Sequence, residues 1–206
     1  RLYTDGIPAS MPDGQGQVSH FNLDSADRIE VLRGPFSALY GNAAGGVVQL
    51  FTADGSDPPQ LGLGFAGGSD GLRRSAINAR GVTGAFDYNL GFTHFQTDGY
   101  RDHSRAQTGS GNAKVGWQLD GGRRLTLVAN TYNLPGAQDP QGLTPAQYHQ
   151  NPRQGSTSSG LYDTRKRVSQ QQGGLIYEDP LSAHGTLRRM GYYGQRSVPC
   201  ALSGSS

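Results

Sequence analysis

The chain has 206 residues, of which 32 are glycine and 34% are hydrophobic, and its formal charge is +2. Glycine is about twice as frequent as in average proteins, and the hydrophobic fraction is low for a globular core of this length. The small charge gives no support for nucleic-acid binding, and the single cysteine leaves no disulfide framework and no cysteine zinc cluster. No run approaches the roughly 20 apolar residues of a membrane helix, so residence in a membrane would require a β-barrel.

A compact unit of strand, turn, short helix and strand is predicted over residues 28–51. The apolar run 29–32 is stopped by Gly34 and Pro35, because proline has no amide hydrogen to donate to a β-ladder. The four residues Ser37–Tyr40 are too few for an ordinary helix, so they predict a single helical turn.

The glycines after this turn are interpreted as backbone positions. Gly41 closes the helical turn, because glycine accepts a left-handed backbone. Gly45 and Gly46 let the chain pack closely before Val47 opens a β-branched strand. The glycines lack the lysine and spacing of a phosphate loop, and Ser37 lacks the spacing of a nucleophile elbow, so no catalytic site is predicted.

The stretch 29–50 resembles, without a gap, the end of the plug domain of TonB-dependent outer-membrane receptors, where IEVLRGP, LYG and GGV recur just before the barrel. Residues 2–16, LYTDGIPASMPDGQG, resemble the preceding part of the same plugs. The resemblance implies a β-rich fold: the C-terminal part of a plug at residues 1–55, then about the first seven antiparallel strands of a roughly 22-stranded transmembrane barrel at 56–206. It also implies TonB, outer-membrane lipid and a small-molecule ligand as partners, an outer-membrane location, no cofactor and no enzymatic activity.

We expect the chain to be a fragment of such a receptor. It starts at Arg1 without a signal peptide, a TonB box or the beginning of a plug, and it ends in ALSGSS without an aromatic terminal strand. About seven strands cannot close around a plug, so we do not expect this part alone to transport a ligand.

Seven strands with alternating polarity are predicted after the polar segment 53–60. Leu61, Leu63 and Phe65 alternate with glycines, and the apolar positions of 86–93 alternate with polar ones. In a membrane barrel the apolar face contacts lipid and the polar face lines the lumen. The predicted strands lie at about 61–65, 73–81, 86–93, 112–119, 125–133, 165–178 and 186–195.

The predicted connections alternate in length. Tight turns at 82–85, 120–123 and 181–185 alternate with long connections at 96–107 and 134–163. Short turns opposite long loops are typical of outer-membrane barrels. A soluble β-sandwich or an adhesin is the alternative that alternation alone leaves open.

Two polar segments supply the candidate ligand-binding residues. The resemblance implies that residues 11–17, MPDGQGQ, form an apical plug loop that faces the extracellular cavity. The alternative is a plain turn without a ligand role. Basic residues in the first long loop are candidates for contact with an acidic ligand, and the alternative is a solvated loop tip. The candidate ligand-binding residues are Met11, Asp13, Gln15, Gln17, Tyr100, Arg101 and His103.

A second set is assigned to plug structure. The resemblance implies that Arg33, with Glu30 nearby, seats the plug on barrel carboxylates that lie beyond this chain. The plug residues are Glu30, Arg33, Gly34, Pro35, Tyr40, Gly41, Gly45 and Gly46. The five histidines are dispersed, so no metal site is predicted.

Two cargo classes remain open. The segments DGIPASMPDGQGQ, DGYRDHS, NPRQ and YDTRK resemble a subgroup that includes a receptor for pyrroloquinoline quinone, which favours a carboxylated cofactor. The alternative is a ferric siderophore or another metal chelate, the commonest cargo of the family. A surface adhesin or structural barrel without transport is the third hypothesis.

Overall fold

The chain folds into two β-sheets that pack against each other. The computed structural model describes residues 1–10, 16–34, 37–41, 43, 45–182 and 184–201. A four-stranded sheet, here the N-terminal sheet, is followed by a larger antiparallel sheet, here the wall sheet. The segment 53–59 connects them.

The N-terminal sheet has the strand order β2-β1-β4-β3. Asp5 and Gly6 turn the chain between β1 and β2 with φ values of 53° and 84°, as an Asp-Gly hairpin requires. β1 runs parallel to β4, and β3 runs antiparallel to it. Its elements are β1 (Leu2–Thr4), β2 (Ile7–Pro8), β3 (Ala26–Leu32), α1 (Ser37–Tyr40) and β4 (Val47–Thr52). The predicted order of strand, helical turn and strand is confirmed.

Within the described residues the wall sheet has eight strands, and seven of them each pair with the next along the chain. They are β5 (Gln60–Gly67), β6 (Arg73–Thr83), β7 (Phe86–Thr97), β8 (Ala106–Gln118), β9 (Arg124–Gln138), β10 (Arg165–Ser182) and β11 (Gly185–Ser197). A short β12 (Cys200–Ala201) also pairs with β10. The seven predicted strands are confirmed, but β8 begins six residues earlier than expected, because its glycines hide the alternation.

The two faces of the wall sheet have opposite chemistry. Leu61, Phe86 and Trp117 lie on one face and are 43–67% exposed, with the rings of Phe86 and Trp117 stacked at 5.2 Å. Asp87 and Asn89 lie on the other face and are only 8% and 1% exposed, because residues that flank the strands of the N-terminal sheet contact them. The apolar side chains thus point away from the core of the molecule, as the alternation predicts for a lipid-facing wall.

The connections between wall strands differ at the two ends of the sheet. The turns from β6 to β7, β8 to β9 and β10 to β11 are short, and we call this the turn end. The connections 98–105 and 139–164 leave the opposite end, which we call the loop end. The predicted asymmetry of short turns and long loops is confirmed.

The longest connection contains two short helices that the sequence analysis did not predict. They are α2 (Pro145–Gln150) and α3 (Thr157–Leu161). Thr144 and Gln147 form a capping box at the start of α2, a signal present in the sequence TPAQ but overlooked. None of the helices in the described ranges has the length and apolar character that spanning a membrane requires.

One apolar contact joins the two sheets at their centre. Ile7 of the β1–β2 hairpin is fully buried against Val128 and Ile176 of the wall sheet. Its Cδ1 atom lies over Gly174, where a Cβ atom would come within 2.5 Å of it. Complete burial of such a side chain contributes about 2–3 kcal/mol, so this contact fixes the hairpin on the wall.

Candidate functional site between the two sheets

Three of the glycines assigned to plug structure have backbones that favour glycine. Gly34, Gly41 and Gly46 have φ values of 122°, 68° and 119°. At Gly46 a Cβ atom would also lie 2.5 Å from the carbonyl oxygen of Leu32, so any side chain there would displace the end of β3. Gly45 differs, because an added Cβ atom would meet no described atom within 4 Å.

Tyr40 takes part in the packing of the N-terminal sheet. The Tyr3 hydroxyl donates a hydrogen bond of 3.0 Å to the Tyr40 carbonyl, and the two rings meet edge to face at 5.4 Å. Burial raises the pKa of Tyr3, with nearby Arg1 opposing the shift. Pro35 lies outside the described residues.

The charged residues of β3 lie at the exposed edge of the N-terminal sheet. Glu30 accepts a hydrogen bond of 2.8 Å from Arg28 on the same strand, and the Arg28 guanidinium lies 3.8 Å above the Phe51 ring. Arg33 follows the strand and is exposed. Its seating by barrel carboxylates stays a prediction.

A cluster of charges at the turn end, here the charged anchor, joins the end of the N-terminal sheet to the wall. The Lys114 ammonium of β8 lies 2.8 Å from the Asp54 carboxylate and donates a 2.7 Å hydrogen bond to the Thr52 carbonyl. It also lies 4.0 Å from Asp5, which accepts hydrogen bonds from the Thr52 amide and hydroxyl. Burial raises the pKa of Asp5, and the Thr52 hydrogen bonds and Lys114 oppose the shift.

Arg124 of β9 extends the charged anchor. Its guanidinium lies 2.7 Å from the Asp87 carboxylate and 3.5 Å from Asp54. Asp54 therefore meets a cation from each of two neighbouring wall strands. The charged anchor comprises Asp5, Asp54, Asp87, Lys114 and Arg124.

Polar groups of the wall also bind backbone and side-chain groups of the N-terminal part beyond the anchor. The Asn89 amide nitrogen donates to the carbonyls of Ser25 and Ala53 at 3.2 and 2.9 Å. Asp24 accepts from Thr93 at 2.8 Å and pairs with Arg74. These contacts attach the wall to the N-terminal sheet along its length.

A cavity of about 420 Å³ lies toward the loop end, between the β1–β2 hairpin and strands β10 and β11. Tyrosine rings and glutamine amides dominate its surface. Residues around it include Tyr3, Ile7, Ser10, Tyr40, Gln170, Gln172, Tyr192 and Arg196.

The predicted apical loop is only partly described, because Met11, Asp13 and Gln15 lie outside the described residues. Gln17 precedes a 3₁₀ turn at Val18–His20 and borders a depression with Lys166 of β10. Burial and, to a smaller extent, the charge of Arg196 lower the pKa of His20 to about 4, whereas a hydrogen bond with Gln17 opposes the shift.

Arg101 is held by backbone oxygen atoms of the neighbouring loop. Its guanidinium donates to the carbonyls of Gln154, Gln141 and Pro140 at 2.9, 2.6 and 3.2 Å. These three bonds join the loop 98–105 to the loop 139–164. The arrangement gives Arg101 a structural role that its loop position did not suggest, and its ligand role stays a prediction.

The other two loop candidates also contact the longer loop. The Tyr100 ring lies 4.7 Å from the Arg153 guanidinium, and the His103 ring nitrogen lies 3.0 Å from the Thr164 carbonyl. Tyr100 and Arg101 border an apolar depression with Tyr148, separate from the depression that Gln17 borders. The described candidate ligand-binding residues therefore lie in two separate places. Gln17 borders one depression, whereas Tyr100, Arg101 and His103 lie against the loop 139–164.

Sequence analysis missed the charged anchor. Alternation placed Lys114 on the polar face, but the pairing of Lys114 with Asp54 depends on the packing of two sheets, which a single sequence does not reveal. Within the described ranges, no three His, Cys, Asp or Glu side chains are grouped to hold a metal ion.

Comparison with known proteins identifies both parts of the fold. Residues 1–47 match the family described as TonB-dependent Receptor Plug Domain. Over 45 residues, 21% of this chain, the sequence is 53% identical to the ferrienterobactin receptor of Escherichia coli strain K12.

Solved receptors resemble nearly the whole chain. The siderophore receptor PiuA from Acinetobacter baumannii matches 96% of it with a TM-score of 0.74 and 16% identity. The ferric-catecholate import receptor Fiu from E. coli K12 matches 99% with a TM-score of 0.73 and 18% identity. The chain spans 29% and 33% of these two receptors, and the aligned part is 6% of the ferrienterobactin receptor. The predicted fold class is confirmed.

Proposed function

Because a TonB-dependent receptor plug domain precedes a sheet that resembles the start of such a receptor's barrel, we propose that this chain is part of an energy-coupled outer-membrane importer. The observation that carries the proposal is the seating of the plug on the polar face of the wall. In the full-length receptor the plug closes the lumen, and TonB acts on it from the periplasm. No catalytic step is involved.

The proposed cargo is a ferric siderophore or a related metal chelate. The 53% identity over 45 residues to a ferrienterobactin receptor supports this class, and siderophore receptors share the fold. The quinone subgroup rests on the resemblance of four short segments, and it stays a prediction. We therefore place the chelate first and pyrroloquinoline quinone second, reversing the order that the sequence favours.

The two ends of the wall sheet make different interactions with the rest of the chain. At the turn end, the charged anchor holds the last plug strand to β8 and β9, so a pull on the plug meets resistance at Thr52 and Asp54. At the loop end, Arg101 joins the loop 98–105 to the loop 139–164. Between the ends, Ile7 fixes the β1–β2 hairpin on the wall.

Uptake measurements test the proposal. The full-length receptor is expressed in a strain that lacks its own siderophore receptors, and cells receive iron-55 as ferric enterobactin, ferrichrome or ferric citrate. We expect at least one chelate to accumulate only when TonB and a proton gradient are present. Equal uptake without TonB would contradict the importer, and uptake of the quinone with none of the chelates would reverse the order of cargo.

A further inference from the structure

Three connections of the wall sheet contact one another at the loop end. Besides the loops 98–105 and 139–164, the short turn 68–72 between β5 and β6 leaves the sheet there. The Asp98 amide donates a hydrogen bond of 2.9 Å to the Asp70 carbonyl. The short turn is therefore attached to the start of the next loop.

Arg153, in the longest of these connections, contacts the other two. Its guanidinium lies 2.5 Å from the Asp70 carboxylate and 4.7 Å from the centre of the Tyr100 ring. Its carbonyl accepts a hydrogen bond of 2.7 Å from the Asp102 amide. A single residue thus links the short turn, through its charge, and the loop of Tyr100, through its side chain and its backbone.

Two of the connections also approach closely at Gly155. A Cβ atom at this position would lie 2.9 Å from the Asp102 carbonyl oxygen and 2.9 Å from the Ser159 hydroxyl. Arg101 donates to three carbonyls across the same boundary. A shift of one loop against the other therefore breaks several contacts at once.

Non-glycine residues with a left-handed backbone are concentrated in these three connections. The described part of the chain has five such residues, and four of them lie here. They are Asp70, His103, Gln141 and Asp163, with φ values of 55°, 58°, 56° and 48°. A left-handed backbone is unfavourable for a residue with a side chain, so it persists where the surroundings hold it. Each of the four contacts a residue of another connection: Asp70 meets Arg153, Gln141 meets Arg101, and His103 meets Asp163.

We propose that the connections 68–72, 98–105 and 139–164 form one cooperative unit, here the loop block, which Arg101 and Arg153 lock together. The left-handed residues relax when contacts between connections break, so the loss of one contact favours the loss of the others. The loop block then has two states, locked and loose, in place of three loops that move separately. Under the proposed function, a movement that opens the loop end has to release the whole block.

Hydrogen exchange of the purified full-length receptor without ligand tests the loop block. Arg153→Ala removes the contact with Asp70, and we expect about fivefold faster exchange at the Asp98 amide and at the Ser156 amide, neither of which bonds to Arg153. The matched control is Arg105→Ala. Arg105 is also an exposed arginine in an ion pair, but its partner Asp98 belongs to its own connection, so both exchange rates should stay as in wild type.

A second pair of variants changes no charge. Gly155 and Gly142 both lie in the longest connection, and neither has a positive φ value. Alanine at position 155 pushes against the Asp102 carbonyl, whereas a Cβ atom at Gly142 meets no described atom within 4 Å. Gly155→Ala should therefore also speed exchange of the Asp98 amide by about fivefold, although that amide bonds the two connections to which residue 155 does not belong. Gly142→Ala should leave it unchanged.

The opposite result has a clear form. Faster exchange confined to the Asp102 amide, which bonds the Arg153 carbonyl, with the Asp98 and Ser156 amides as in wild type, would show that the loops move separately and would overturn the loop block. Because neither ligand nor TonB is present in this measurement, the proposed function stands or fails apart from it.

Discussion

The charged anchor and the cavity are two regions of one contact surface, and they differ in how their polar groups are paired. At the anchor, Lys114 and Arg124 meet Asp54, and the buried Asp5 carboxylate accepts two hydrogen bonds from Thr52. At the cavity, donors of Gln172 and Arg196 lack acceptors among the described residues. Within the described residues, the charged groups of the anchor are all paired, whereas Gln172 Nε2 and Arg196 Nε at the cavity are not.

Under the proposed function, this difference separates a structural part of the contact from a part that a ligand could reach. The Asp5 and Asp87 carboxylates of the anchor are buried, and a buried charge left without its partner is strongly destabilising, so this part of the cluster favours a permanent attachment. Unpaired buried donors destabilise the free receptor and are stabilised when an acceptor arrives. The plug is therefore expected to stay attached at the turn end while the cavity responds to ligand.

The largest effect is expected from the apolar contact between the two regions. Ile7→Ala removes a fully buried side chain and should destabilise the seating of the β1–β2 hairpin by about 3 kcal/mol, because large-to-small core changes leave a cavity. Hydrogen exchange of the Ala9 amide, which bonds the Leu2 carbonyl, measures this in the full-length receptor. Ile29→Ala makes the same change at a residue that is 47% exposed and should leave that exchange unchanged. Equal effects of the two variants would contradict the central role of Ile7.

Removal of the anchor charge should have the next largest effect. Lys114→Met leaves the buried Asp5 and the Thr52 carbonyl without their cation, and we expect the seating of β4 to weaken by about 2 kcal/mol. Faster exchange at the Asp5 amide, bonded to the Leu50 carbonyl, is the measurement. Lys166→Met, at the other lysine of the chain, should not affect it. If Lys114→Met weakens chelate binding and leaves exchange unchanged, the division between anchor and cavity is wrong.

The sequence predicted the sheets far better than it predicted the contact between them. Period-2 alternation revealed the seven wall strands and their polar face, since a strand repeats every two residues regardless of its partners. It did not reveal that Lys114 meets Asp54 or that Arg196 orients Gln170, because these pairs depend on strand register and on packing between sheets. The sequence analysis placed Asp54 only in the polar segment 53–60 that precedes the wall strands.

The long loops were also only partly predictable. Their length was visible, but the three carbonyls that bind Arg101 come from residues about 40 to 50 positions away, which no local pattern indicates. The capping box of α2 was readable in the sequence. It was missed because the connection was treated as one unstructured segment.

The third prediction concerns the two joined loops at the loop end. It tests whether the hydrogen bonds of Arg101 stabilise the structure there, as the charged anchor does at the turn end. Arg101→Ala removes three hydrogen bonds to carbonyls and should loosen the loop 139–164 by about 1.5 kcal/mol, discounted for its partial exposure. Exchange of the Ser156 amide, bonded to the Pro140 carbonyl, reports the change. Arg105→Ala is the matched control, because Arg105 is 73% exposed and pairs only with Asp98 among the described ion pairs. Loss of chelate binding without faster exchange would instead make Arg101 a direct ligand contact, as the sequence suggests.

The smallest effect concerns pH and the loop end of the plug. His20 has a pKa lowered to about 4 by burial and by Arg196, whereas an unfolded histidine titrates near 6.5. Between these values the unfolded chain binds the proton and the folded chain does not, so this contribution to stability is complete above about pH 6.5 and is lost as the pH falls toward 4. From pH 7.5 to 5.5 we expect a loss of about 1 kcal/mol in the stability of the region around His20, measured by hydrogen exchange of the Phe21 amide, which bonds the Val18 carbonyl.

Two substitutions isolate this histidine from other titrating groups. His20→Gln removes the titrating ring and should flatten the pH dependence of Phe21 exchange after correction for the intrinsic rate. His149→Gln changes an exposed histidine of α2 and should leave the dependence as in wild type. A profile that His20→Gln does not alter would show that His20 is not excluded from water. The loop end of the plug would then be more open to water than the burial of His20 indicates.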